Sequence, residues 1–175
     1  MRPRPGLLSL LLVLAAAAVA GGCDDGSISS VPSRLRKALQ PAALSDRAVV
    51  ELHHHGLTEK EAPGVLALRR AGLLEEPILE LARLGLIGSW AGEAAKLHHA
   101  GISEGTIVEI GRFRAAGDAI LSAGALVRLQ RSGLREEALL ELIRRDVPES
   151  DVPELVRLRR SGASEAAIFQ RYPRR

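Results

Sequence analysis

One glycine context recurs along the chain and limits what it can fold into. Gly56, Gly72, Gly101, Gly133 and Gly162 each stand four residues after a leucine: Leu52, Leu68, Leu97, Leu129 and Leu158. Seven residues before the glycines are Val49, Val65, Ala94, Leu126 and Leu155. Offsets of this kind trace one face of an α-helix. Directly after the glycines come Leu57, Leu73, Ile102, Leu134 and Ala163. Six residues after them come Ala62, Ile78, Ile107, Leu139 and Ile168. The last four glycines are 29, 32 and 29 residues apart, so the body of the chain is a repeat.

The pattern has a direct backbone meaning. A glycine in the left-handed conformation ends a helix and lets the apolar residue after it touch the leucine before it. Only glycine adopts that conformation without steric cost. Thr58, Ser103 and Ser164 then stand where a second helix would need an N-cap, whereas Leu74 and Arg135 fill that slot poorly. Glu59, Glu75, Glu104, Glu136 and Glu165 follow, acids that suit the partial positive charge of a helix start. Thr58 and Glu61 also have capping-box spacing.

Each unit therefore reads as helix, glycine turn, helix. The spacing predicts units over about 63–84, 90–115, 121–145 and 150–171, a leading helix over about 46–55 and a shorter one over 33–40. Pro63 makes the copy after Gly56 irregular. Weaker turns fall between units at Leu81-Gly85-Leu86 and Leu142-Asp146-Val147, and Ser89, Ser122 and Ser150 are candidate caps for the helices that follow. Helices near ten residues are marginal alone. Hairpins this short must stack, which gives an all-α fold for 33–175, either a small α-solenoid or a compact helical bundle.

Candidate chemistry is sparse. His53, His54, His55, His98 and His99 suggest metal ligands, but adjacent helical residues point about 100° apart. His53-His54 and His98-His99 instead share slots with Arg69-Arg70, Gln130-Arg131 and Arg159-Arg160, in the last turn of a helix, where cations suit the bare carbonyls. With the units stacked in register, Arg69, Arg70, His98, His99, Arg131, Arg159 and Arg160 would form a basic ridge able to meet an anionic partner. Gly101-Ile102-Ser103-Glu104-Gly105 matches a nucleophile-elbow string, yet that motif needs a strand before the serine and a helix pattern precedes this one. There is no His-Glu-x-x-His and no phosphate-binding loop. No cofactor, metal or catalytic residue is expected. Trp90, Phe113, Phe169 and Tyr172 are the only aromatics, too few for a base-stacking surface. The C-terminal Arg171-Tyr172-Pro173-Arg174-Arg175 reads as a frayed tail.

The N-terminus carries a different signal. Arg2 and Arg4 precede an apolar run from Leu7 to Ala20, interrupted only by Ser9. That run is shorter than the roughly 20 residues a spanning helix needs and fits the apolar region of a signal peptide. Ala20-Gly21-Gly22-Cys23 follows, and Cys23 is the only cysteine. This stretch resembles the lipobox of bacterial lipoproteins, with Ala20 where that family usually has leucine. The resemblance implies that 1–22 is a signal peptide, that cleavage falls before Cys23, and that the Cys23 thiol carries a diacylglycerol. Asp24 after it resembles the sorting signal that retains lipoproteins in the inner membrane. Residues 24–32, rich in Asp, Gly and Ser, read as a tether. Without Arg2 and Arg4 the chain has 22 basic against 21 acidic residues, a balance that does not call for nucleic acid.

Gly133-Leu134-Arg135-Glu136-Glu137 resembles the helical hairpin of SHOCT domains, though Leu139 stands where that family has an aromatic. The resemblance covers about 20 residues at a time and implies protein contact rather than catalysis. The expectation is a membrane-tethered envelope lipoprotein that serves as a helical-repeat adaptor or scaffold. The alternative is a module that binds an anionic envelope ligand through the ridge.

Overall fold

Helices form where the leucine and valine offsets place them. The structure, a computed structural model, describes residues 27–118 and 121–173. Among these residues it is all-α, with ten α-helices and no strand. They are α1 (Ser33–Leu39), α2 (Asp46–His54), α3 (Ala62–Ala71), α4 (Glu75–Arg83), α5 (Ile87–His99), α6 (Glu104–Ala116), α7 (Ala123–Arg131), α8 (Glu136–Arg144), α9 (Val152–Arg160) and α10 (Glu165–Gln170). The four expected units correspond to α3–α4, α5–α6, α7–α8 and α9–α10, and the leading helices to α1 and α2.

All five expected glycines have positive φ, from 79° to 100°. At Gly72 the paired bonds of a left-handed cap are both made: Leu73 N–H donates to the Leu68 carbonyl at 3.1 Å and Gly72 N–H to that of Arg69 at 3.0 Å. The same pair forms at Gly56, Gly101, Gly133 and Gly162, and at the two weaker turns, Gly85 and Asp146. Asp146 takes φ 54° without being glycine, as short polar residues can.

The turns fall into two interleaved series, which corrects the place of Gly56. Turns from an odd to an even helix are Ala43, Gly72, Gly101, Gly133 and Gly162, spaced 29, 29, 32 and 29 residues. Turns from an even to an odd helix are Gly56, Gly85, Gly117 and Asp146, spaced 29, 32 and 29. Gly56 thus belongs with Gly85, and the first member of the main series is Ala43, left-handed at φ 49°. The first hairpin is α1–α2, and the repeat is 29 residues with a three-residue extension within the third unit. Three expected caps also move. Thr58 lies in a turn before α3, Ser89 lies inside α5, and Ser150 lies in a 3₁₀ turn before α9. Ser122, Ser103 and Ser164 do cap α7, α6 and α10.

Odd helices pack on odd helices and even on even: α1, α3, α5, α7 and α9 form one layer, and α2, α4, α6 and α8 the other. That is an α-solenoid of two layers rather than a closed bundle. The core lies between them, where Leu68, Leu97, Ile107, Leu126, Leu139 and Leu155 are buried. Trp90 is buried there as well, and its indole N–H donates to Glu93 Oε2 at 3.1 Å. α3 and α5 approach closely at Gly64, where a Cβ would sit 2.5 Å from the Ile87 carbonyl oxygen.

Both ends depart from expectation. The signal segment 1–22, Cys23 and Asp24 lie outside the described residues. The tether expected through 32 is shorter, because Ile28–Ser30 forms a 3₁₀ turn and Val31 is 1% exposed. The tail is docked as far as Tyr172, whose hydroxyl donates to Asp151 at 2.9 Å. Burial and the Asp151 carboxylate push that phenol up to about 12. Arg145 donates to the Phe169 and Tyr172 carbonyls, and its guanidinium lies 5.0 Å from the Phe169 ring centroid.

Two glycines test the packing. Gly92 in α5 is exposed with open space around it, so Gly92→Ala should stabilise the fold by about 1 kcal/mol, the helix-propensity difference. Gly64→Ala should instead destabilise it, because overpacking against backbone costs about 1–3 kcal/mol. Urea unfolding of both variants checks this, and an equal gain at the two sites would contradict the α3–α5 approach.

Candidate functional site

The odd-to-even turns at Gly72, Gly101, Gly133 and Gly162 bring an acid to one edge of the stack. The acid three residues after the glycine does not serve its own helix alone. It reaches the residue that opens the even helix of the preceding unit. Glu75 accepts from the N–H and hydroxyl of Ser45, each at 2.7 Å. Glu104 accepts from Leu74 N–H at 2.7 Å. Glu136 accepts from Ser103 N–H at 2.9 Å and from the hydroxyls of Ser103 and Thr106. Glu165 accepts from Arg135 N–H at 3.0 Å and from its guanidinium.

In a capping box, a glutamate of the same helix takes the N-cap N–H. Here the next unit supplies that glutamate, so the box closes between units. This explains how Leu74 and Arg135 are tolerated as caps: their side chains make no cap bond, but their N–H groups are taken. The odd layer repeats the device once, with Ser122 N–H and hydroxyl on Glu149 at 3.2 and 2.6 Å. Glu59 takes no part, since it precedes α3 in an exposed turn.

The ridge residues divide into two sets. The cation three before each glycine is half-buried and turned to carbonyls. Arg69 donates to Ala42 at 3.1 Å in the unit before and to Leu73 at 2.8 Å in its own turn. Arg159 does the same with Gly133 at 3.1 Å and Ala163 at 3.0 Å. His98 bonds through Nδ1 to the Ala71 carbonyl at 2.8 Å, which assigns the proton to Nδ1. Gln130 fills this slot in α7 and leaves its buried Oε1 without a partner. These residues join units and are not an open ridge.

The cation two before each glycine faces outward: Arg70, His99, Arg131 and Arg160 are exposed. Between α5 and α7, His99 and Arg131 meet Lys96 and Arg128 around an open depression of about 380 Å³ floored by Ala123, Gly124 and Val127. Glu149 lies 3.9 Å from Arg128. Among the described residues, Lys96, His99 and Arg131 pair with no carboxylate. The outer surface of the even layer differs, because its arginines are matched except Arg47 of α2. Arg83 pairs with Glu51 and Glu80, and Arg112 with Glu109 and, at 3.7 Å, Glu80.

The other tempting residues resolve locally. Ser103 opens α6, with its oxygen accepting from Thr106 N–H at 3.4 Å and a helix before it. His53 and His54 lie in the last turn of α2, with ring centroids 6.3 Å apart. Among the described residues no group of three or more His, Cys, Asp or Glu could hold a metal ion, and no helix is long and apolar enough to cross a membrane. Comparison of the chain with known family models, curated proteins and solved structures finds no significant match.

The inter-unit carboxylates make stability pH-dependent. Bonds from Ser45 hold Glu75 below the ordinary carboxylate range, and bonds from Ser122 do the same for Glu149. For Glu136, burial opposes ionisation, but the bonds from Ser103 and Thr106 together outweigh it. Arg135 lowers Glu165. A carboxyl that titrates lower when folded contributes its full stability above its unfolded value, about 4.3, and loses it as pH falls through and below that value. The melting temperature should therefore drop from pH 6 to pH 3. The combined variant Glu75→Gln, Glu136→Gln, Glu165→Gln should melt lower at pH 6 and show a shallower acid slope. An unchanged slope in scanning calorimetry would count against the ladder.

Proposed function

We propose that the chain is a lipid-anchored envelope protein whose stacked hairpins serve as an interaction scaffold, with the outward surface of the odd helices as its contact face. The anchor is the acylated Cys23, which follows the signal segment 1–22. It places the body in the periplasm or outside the cell, and Asp24 favours the inner membrane. Two or more acyl chains anchor stably, at about 0.8 kcal/mol per buried CH₂.

One observation carries the contact face: Lys96, His99, Arg128 and Arg131 converge on one depression, while the even layer pairs its cations apart from Arg47. Four converging cations over a shallow apolar floor, three of them without a carboxylate partner among the described residues, suit an acidic segment of a partner protein. The same four groups support a second reading, an anionic envelope polymer as ligand. No reaction is assigned to either.

The test places a photo-crosslinking residue at Arg131 or at Arg112 in the lipidated protein in cells. Protein adducts at 131, absent at 112, are the expected result. Equal adducts at both positions would dismiss the face. Absence at 131, together with salt-sensitive binding of purified protein to an anionic polysaccharide, would favour the second reading. Metabolic labelling with an alkyne fatty acid should mark the protein and fail on Cys23→Ala, and equal labelling of the two would remove the anchor.

A further inference from the structure

We propose that the α1 end of the solenoid is a bilayer-contact surface that takes an anionic phospholipid headgroup in the depression beside Ile28. The inference rests on acylation of Cys23.

The first support is distance. Ile28 already packs against the core, so five residue steps separate it from Cys23. A chain extends at most about 3.6 Å per residue, which limits that span to about 18 Å. Charges at a membrane surface act over about 8 Å at physiological salt. An anchor this short holds the α1 end within roughly two screening lengths of the headgroups, a distance side chains can close.

The second support is charge. Residues 26–45 include Arg34, Arg36 and Lys37 and no acid. All three cations are exposed on α1, and among the described residues none pairs with a carboxylate. Asp24 and Asp25 of the tether lie outside the described residues. The third support is shape. A depression of about 480 Å³ opens at this end, walled by Ile28, Leu44 and Val49 and rimmed by Arg36 and Lys37, with Asp46 as its one acid. A cationic rim for a phosphate above an apolar wall for glycerol and acyl carbons is the chemistry an anionic phospholipid presents.

The experiment uses the acylated mature protein in vesicles of phosphatidylcholine, with or without phosphatidylglycerol. Acylation blocks the Cys23 thiol, so Gln40→Cys or Arg160→Cys supplies one site for a fluorophore. Headgroup spin-labelled lipid quenches it. Quenching should be strong at 40 and weak at 160, should need phosphatidylglycerol, and should fall with salt. Each cation near an anionic surface contributes about 1 kcal/mol, so Arg34→Gln, Arg36→Gln, Lys37→Gln together should weaken surface association about a hundredfold. Equal quenching at 40 and 160, no dependence on phosphatidylglycerol, or no effect of the triple variant would overturn the proposal. A mass spectrum without the acyl increment would sink the anchor reading instead, and the composition dependence of quenching at 40 in a Cys23→Ala background would still decide the surface.

Discussion

A carboxylate at the first position of an even helix accepts from the N–H that opens the even helix one unit earlier. Four such links, at Glu75, Glu104, Glu136 and Glu165, connect α2, α4, α6, α8 and α10 along one edge. Helices of six to thirteen residues are marginal alone in water. Their stability must come from neighbours, and this contact makes each neighbour complete a cap that the unit cannot complete by itself. Arg69, His98 and Arg159 add the opposite half, a donor at the C-terminal end of an odd helix that reaches a carbonyl of the unit before. One edge of the stack thus satisfies backbone groups at both kinds of helix end, and it fixes the register that buries Leu68, Leu97, Leu129 and their equivalents.

The division of labour between the two helix layers follows. Cations two and three residues before the same glycine have different duties, one clamping a neighbour and one facing water. The even layer pairs Arg83 and Arg112 within itself, while the odd layer presents Lys96, His99 and Arg131 without carboxylate partners among the described residues. A scaffold needs such a surface, one that folding leaves unspent. The α1 end also carries cations without carboxylate partners among the described residues, Arg34, Arg36 and Lys37.

Much of this was legible in the sequence. Gly72, Gly101, Gly133 and Gly162 mark left-handed turns because few other residues tolerate that conformation, and the leucine four before each makes the signal specific. Ala43 escaped because an alanine in that conformation leaves no compositional mark, and Gly56 was grouped with the wrong turns because both kinds share the leucine offset. The acids were visible as helix-start residues, but their partners lie about 30 residues away, and a single helix carries no sign of that pairing. The two sets of ridge residues were indistinguishable for the same reason. Slot arithmetic groups Arg69 with Arg70, and only packing shows that one of them is turned to Ala42.

Amide hydrogen exchange by NMR addresses the inter-unit cap most directly. Leu74 N–H should be strongly protected in the native protein, and Glu104→Ala should deprotect Leu74, thirty residues upstream at the N-cap of another helix, while the first turn of α6 changes less. Fast exchange of Leu74 in the unaltered protein, or deprotection confined to the first turn of α6, would contradict the account.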